Sequence, residues 1–295
     1  MEKAIHSGRS KASALGKKGA GRSAYVMKPE SLALVENFRL MDDTFMSKCL
    51  ENAPECIELI LRIIIGKKDL KVIKSQTEYP IKSLQGRGVR FDVFARDSKG
   101  REYDIEIQRA DKGAEPKRAR YNSALMDANA LKSGEDFGKL RDTYVIIITE
   151  NDVMGRGQGV YVFDRMDKKS GLDFGDGAHV VYANGMWRGD DALGRLMCDF
   201  NCRDANKMHY DVLKKRVSQL KDSEEGRRIM CKAVEEFAER RAAEAKAEGK
   251  REGMREGMLA SAKRMLESGM LALKDIAKFS GLSLVQVKKL QAEMA

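Results

Sequence analysis

The sequence predicts a mixed α/β fold, a central sheet flanked by helices, followed by a helical C-terminal extension, and three patterns carry that expectation. Val89 to Ala95 and Tyr103 to Gln108 alternate apolar and polar residues on either side of Ser98-Lys99-Gly100, the signature of a β-hairpin. Tyr144 to Thr149 is a short, almost wholly apolar run of β-branched type, which suits a strand covered on both faces. Apolar residues recur at helical spacing upstream of the hairpin, at Leu50, Ile57 and Leu61 and again at Ile60 and Ile64.

Residues 1–30 hold seven basic and two acidic side chains, so half of the net charge of +10 sits there. With Gly and Ser interleaved and Tyr25 as the one aromatic, this stretch buries too little apolar area to offset the entropy of ordering, and a disordered basic tail is expected. Such a tail serves either as a phosphate-binding arm or simply as a solubilising segment. From Ser31 to about Lys67 the pattern is helical, with Pro54 separating two helices. Lys71 to Ile81 is a strand candidate that precedes the hairpin. Pro116 suits the first turn of a helix running to about Leu131, with Gly134 just beyond its end. Val160 to Phe163 and His179 to Tyr182 complete the strands, and from about Asp190 the chain turns helical, through Leu193 to Phe200, Tyr210 to Lys221 and Gly226 to Arg241.

A tetrapeptide repeat follows, running from Glu248-Gly249-Lys250-Arg251 to Glu256-Gly257-Met258-Leu259. Glycine inside a helix costs about 1 kcal/mol relative to alanine, so a hinge or a partner-dependent helix is expected there. Small residues at every fourth position would also let two helices approach closely. The expected organisation is a basic tail (1–30), an α/β domain (31–215), a helical glycine-repeat linker (216–260) and a helix-turn-helix-like C-terminal segment (261–295).

Composition narrows the function. The apolar fraction of 42% over 295 residues is enough for a sizeable core, while runs such as Val145 to Ile148 fall far short of the ~18–20 residues of a membrane span. No signal sequence is recognisable and five scattered cysteines make no disulfide framework, so a cytoplasmic protein with reduced thiols is expected. The basic balance favours a polyanionic partner. His6, His179 and His209 stand in no arrangement with a Ser or Cys nucleophile, which argues against acyl transfer. Cys198 and Cys202 with His209 and Cys231 lack the repeated C-x2-C spacing of structural zinc sites.

The hairpin is where chemistry concentrates. A three-residue loop ending in Gly100 pairs Asp97 with Arg101, and that register sets Asp92 opposite Glu106. Alternation places Asp104, Glu106 and Gln108 on one face and Tyr103, Ile105 and Ile107 on the other. Opposed carboxylates are destabilising unless a proton or cation lies between them. Mg²⁺ is held by one or two carboxylates, a main-chain carbonyl such as that of Ile107, and water. The alternative is an exposed hairpin face on which Asp92 and Glu106 pair with Arg90 and Arg101.

At the C-terminus, Leu273 to Phe279 and Leu284 to Ala292 form two short helices joined by Ser280-Gly281-Leu282-Ser283, and Ala277, Gly281 and Val287 have the spacing of a helix-turn-helix. On DNA, Gln286, Lys288, Lys289 and Gln291 of the second helix would face the groove. The alternative is a helical hairpin for packing or self-association, making a homo-oligomer through these helices.

Arg90-Phe91-Asp92-Val93, followed by Tyr103-Asp104-Ile105-Glu106-Ile107-Gln108, resembles the active-site hairpin of the PD-(D/E)XK nuclease superfamily, in particular the bacterial PD-(D/E)XK nuclease family transposases or recombination-promoting nucleases. The resemblance continues through Lys117-Arg118-Ala119-Arg120-Tyr121, Gly134-Glu135-Asp136-Phe137, the Tyr144 to Thr149 run and the glycine repeats, covering most of the chain from about Asp42. It implies a restriction-endonuclease-like core and a DNA endonuclease dependent on Mg²⁺ or Mn²⁺, connected with recombination or transposition. DNA is then the partner, with no membrane and no small-molecule cofactor. By the same resemblance Asp92 and Glu106 hold the metal together with the Ile107 carbonyl, and Asp43 is the acid on the first helix that sometimes completes such a site. Gln108 takes the place of the lysine that orients the attacking water, a position at which this branch commonly has glutamine, and Arg118 and Tyr121 lie near the substrate phosphate. Two features depart from the pattern: no proline precedes Asp92, and Gln108 is neutral. They motivate a rival in which the same fold binds DNA or self-assembles without turnover.

Overall fold

The computed structural model describes residues 25–83 and 86–294, so most of the expected basic tail, residues 1–30, lies outside the described residues. Three of the four prolines sit at helix starts, where a missing N–H costs nothing: α1 (Pro29–Asn37), α3 (Pro54–Ile65) and α4 (Pro116–Ala130). Between α1 and α3 lies α2 (Asp43–Leu50), so the 31–67 region forms three helices where two were expected. The extra break comes from Asp42, whose Oδ2 accepts from the Arg39 backbone N–H at 2.7 Å and turns the chain into α2. The fourth proline, Pro80, lies on an edge strand, where proline is tolerated.

Six strands form one mixed sheet in the order β1 (Val72–Ile81), β2 (Val89–Asp97), β3 (Glu102–Gln108), β4 (Thr143–Thr149), β6 (Ala178–Asn184), β5 (Val160–Phe163). Strands β1 to β3 are antiparallel, β3, β4 and β6 run parallel, and β5 returns antiparallel at the far edge. The parallel pairing of β3 with β4 needs a crossover, and α4 supplies it.

Every residue of β4 is buried, as its unbroken apolar run requires. One face of the sheet, through Val93, Tyr103, Ile105, Ile146 and Ile148, packs on α1, α2, α3, α5 (Ala192–Asn201), α6 (Asp211–Lys221) and the first turns of α7 (Glu224–Ser268). The other face, through Phe94, Val145, Ile147 and Tyr182, packs on Ala119, Leu125 and Met126 of α4. This is the mixed sheet with flanking helices of the restriction-endonuclease-like core.

The glycine repeats do not interrupt α7, which spans 45 residues and hence about 68 Å. Positions 249, 253 and 257 have no atom within 4 Å of where a side chain would begin. Both ends of the helix are anchored, by buried Met230, Cys231 and Ala233 on the α/β core and by Ala262 on the C-terminal helices. Tertiary packing thus overrides the intrinsic cost of the glycines. Helices α8 (Leu273–Ser280) and α9 (Leu284–Met294) bury Ile276, Leu282, Val287 and Leu290 against that end of α7. Gly281 adopts φ +77°, and a Cβ there would meet Met258 Cε at 2.6 Å, so the tight turn requires glycine. Among the described residues no helix is long and apolar enough to cross a membrane.

Candidate active site

The hairpin register is the one the loop chemistry requires. Gly100 has φ +84°, Asp97 N–H donates to the Arg101 carbonyl at 3.0 Å, and Val93, Phe94, Ala95 and Arg96 oppose Ile105, Asp104, Tyr103 and Glu102. The tip is locked by buried Asp97, whose carboxylate accepts from the Arg101 backbone N–H, from Arg101 Nε at 2.6 Å and from the Tyr103 hydroxyl at 2.8 Å. These bonds hold its pKa below the usual carboxylate range, against the effect of burial. Arg101 is therefore engaged at the tip, and Arg90 lies nearest Glu78, at 3.9 Å. Neither arginine pairs with Asp92 or Glu106.

Main-chain pairing of β2 with β3 stops at Val93 and Ile105, one step before the two acids. Beyond it, Asp92 Oδ2 accepts from the Ile107 N–H at 2.9 Å, so a carboxylate replaces the missing strand partner. Glu106 Oε1 lies 3.4 Å from the Asp92 N–H in return. The N–H and C=O of one strand residue face the same neighbour, so the Ile107 carbonyl also points toward Asp92.

Glu106 is buried, and its other oxygen, Oε2, accepts from Arg118 Nη2 on the first turn of α4. Arg118 Nη1 also donates to the Gly113 carbonyl at 3.3 Å. The face that Glu106 shares with Asp104 adds a third acid, fully buried, whose Oδ2 accepts from Asn122 Nδ2 at 2.8 Å. Asp104 Oδ1 and Asn122 Oδ1 are both buried, and among the described residues no donor reaches either.

Three carboxylates beside one guanidinium make a proton-hungry site. Burial pushes Asp92 well above the usual carboxylate range, and the charges of Glu106 and Asp43 add to it. Asp104 is raised in the same way, by burial first and Glu106 second. Glu106 is raised by burial, with Arg118 opposing. Asp43, the first residue of α2, is open to solvent on one side, yet crowding and the Glu78 charge raise its carboxyl as well.

Asp43 reaches this place because the start of α2 is tied to the ends of β3 and β4. Arg109, next to Gln108, donates to Asp42 at 2.7 Å and to Glu150 at 3.2 Å, and Glu150 also pairs with Arg39 at 2.9 Å. Gln108 lies across Gly113, where a Cβ would stand 1.8 Å from its Oε1. The tie of α2, the Asp104–Asn122 pair and the fit of Gln108 on Gly113 have no signature in the local sequence. Only the alternation that places Asp104 beside Glu106 was readable.

Alongside the acids runs a groove of about 870 Å³ lined by Arg87, Arg90, Lys112, Lys117, Arg118 and Arg120, with Glu115 as the one acid. Tyr121 borders it, but its hydroxyl donates to the Arg87 carbonyl at 2.6 Å and so braces the loop before β2. On α9, Lys288 and Lys289 are exposed, with Lys289 Nζ 3.8 Å from Glu293. Gln286, also exposed, caps its own helix: its Oε1 accepts from Ser283 N–H at 2.8 Å, and Ser283 Oγ accepts from Gln286 N–H at 3.3 Å, which together form a capping box.

Cys198, Cys202, His209 and Cys231 do not gather, and His209 Nδ1 lies 2.9 Å from Asp199. Among the described residues no three His, Cys, Asp or Glu side chains form a ready cation cage. The hairpin instead offers two carboxylates and a carbonyl, a hard-oxygen donor set of the size Mg²⁺ uses when water completes its octahedron. The residues present therefore fit a divalent cation.

No curated protein and no solved structure matches the chain. A family model does, over residues 49–184, which include Asp92, Glu106, Gln108, Arg118 and Tyr121 and exclude Asp43 and the C-terminal helices. That model describes the PD-(D/E)XK nuclease family transposases, and residues 49–184 are similar to it.

Proposed function

We propose that this chain is a DNA endonuclease that hydrolyses phosphodiester bonds with a divalent cation, Mg²⁺ or Mn²⁺, held by Asp92, Glu106 and the Ile107 carbonyl. The observation that carries the proposal is the pair of mutually repelling acids, half-buried Asp92 and buried Glu106, at the point where β2 leaves β3, beside a groove lined by six cations. A cation bound there polarises a phosphoryl oxygen and lowers the pKa of bound water. The chain's own groups do the rest.

Asp92 and Glu106 must be deprotonated to bind the ion, and their raised pKa values make that binding fall as pH drops. Asp43 adds negative charge on the open side of the site. Gln108, held over Gly113, presents an amide that positions a water by hydrogen bonding without charge. Arg118 sits between the Glu106 carboxylate and the groove, placed to meet a phosphate, with Lys117 and Arg120 on the same helix. Exposed Lys288 and Lys289 would give a second contact with DNA. Cleavage of this kind fits a role in recombination or transposition, and five free cysteines fit a reducing cytoplasm.

The neutral Gln108 favours one rival, a nuclease fold that binds DNA or self-assembles without turnover. Purified protein incubated with supercoiled plasmid and Mg²⁺, Mn²⁺ or EDTA separates the two. Cation-dependent nicking that disappears in Asp92→Ala supports the nuclease. Plasmid retention without nicking under any cation supports the binding module.

A further inference from the structure

The segment facing Asp92 from the other side is irregular. Residues of β1 and β2 oppose one another in constant register on both sides of this point, Thr77 with Val93 and Tyr79 with Phe91, so no residue is inserted. Between them the pair Glu78 and Asp92 drops out of the ladder, and Glu78 adopts φ +49°. Positive φ is disfavoured for a residue with a long side chain, and it persists where surrounding structure enforces it. The distortion has a visible result: Phe91 and Phe94, three residues apart, enter the same core cluster, so strict alternation fails at Asp92.

The Glu78 carboxylate is met by a side chain from a distant part of the sequence. Arg240 of α7 reaches Glu78 across 162 residues, its Nη1 lying 3.3 Å from both carboxylate oxygens and its Nη2 3.3 Å from Oε1. The guanidinium is itself supported by Phe237, whose ring centre is 5.4 Å away. Arg90 approaches the same carboxylate at 3.9 Å, and Asp43 feels the charges of Glu78, Arg90 and Arg240 together.

We propose that Arg240 is a positioning residue for the cation site, acting through Glu78 to hold the bend of β1 and β2 that presents Asp92. The inference rests on the nuclease proposal, since it concerns the same acids. It makes α7, which lies outside the matched domain, part of the active-site wall. The same unbroken helix carries α8 and α9 at its other end, 28 residues beyond Arg240.

Positioning and simple charge predict opposite signs. Arg240 is a cation near an acidic site, so if charge alone mattered its removal would tighten binding of a divalent cation. If it positions, removal loosens binding. The test is Mn²⁺ binding by titration calorimetry on the full chain, with Mn²⁺-dependent plasmid nicking measured in parallel. Arg240→Ala is expected to weaken Mn²⁺ binding about tenfold, a typical loss for a supporting contact of a metal ligand. Glu78→Gln, which breaks the pair from the β1 side, is expected to do the same. Glycine adopts positive φ without strain, so in a Glu78→Gly background, with that variant as reference, adding Arg240→Ala changes affinity less than about twofold.

Unchanged or tighter Mn²⁺ binding in Arg240→Ala, with wild type binding and cleaving, overturns the inference and leaves the nuclease standing. A full effect of Arg240→Ala in the Glu78→Gly background overturns the route through Glu78. Wild-type protein that neither binds Mn²⁺ nor cleaves overturns both.

Discussion

Asp104 offers the sharpest physical test of the crowded acids. It is fully buried, no donor among the described residues reaches its Oδ1, and burial and Glu106 raise its pKa well above the usual range. Replacing it with asparagine keeps the shape and removes the titration. In the wild type the folded state holds this proton to higher pH than the unfolded chain, whose Asp titrates near ~3.9. Between those values the native state binds more protons, so stability falls as pH rises, by up to about 1.4 kcal/mol per pH unit. Asp104→Asn escapes that loss. Its advantage should be small near pH ~4 and should grow as pH rises, by no more than about 1.4 kcal/mol per pH unit, with Tm rising in step. Groups that titrate in the opposite sense, such as Asp97 and Glu150, are common to both proteins and cancel in the difference. The assay is urea unfolding of both proteins, without added metal, at a series of pH values. A difference that is flat with pH, or a variant less stable throughout, would mean that Asp104 is ionised and well compensated in the fold, which refutes the reasoning.

Other consequences can be checked separately. Gly113→Ala places a Cβ 1.8 Å from Gln108 Oε1, so the amide must move, and nicking should slow about tenfold or more with unchanged Tm; an unchanged rate removes Gln108 from the mechanism. Lys117→Ala combined with Arg120→Ala should weaken DNA binding and reduce the slope of log affinity against log salt by about 2, read by fluorescence anisotropy; an unaltered slope would move DNA off this groove. Ile147→Ala, in fully buried β4, should cost about 2–5 kcal/mol in urea unfolding, and a loss below about 1 kcal/mol would contradict its central place in the core.

What could be read from the sequence was what short-range physics decides. Gly100 and its loop determine the hairpin register, and that register leads Asp92 toward Glu106, one step beyond the last ladder pair. Pro54 and Pro116 mark helix starts, and the β-branched run of β4 announces a buried strand. The acid at Asp43 was suggested only by family resemblance, because its delivery depends on Arg109, Asp42 and Glu150, three residues from separate elements. Arg90 and Arg101 were plausible partners for the acids by proximity, but Asp97 and Glu78 hold them elsewhere. Arg240 left no local trace, since its partner is 162 residues away. The glycine repeats misled for the converse reason: propensity is local, while α7 is held at both ends by packing that a repeat does not reveal.

The central claim is that Asp92 and Glu106 form a hydrolytic centre. Its most direct test is Glu106→Ala compared with wild type, measuring plasmid nicking in Mg²⁺ or Mn²⁺ together with plasmid affinity in EDTA. A hydrolytic centre on the hairpin predicts metal-dependent nicking by the wild type and its loss by at least about a thousandfold in the variant, with DNA affinity within about threefold and Tm retained. Equal nicking by the two proteins, or none by a folded wild type with either cation, would contradict it.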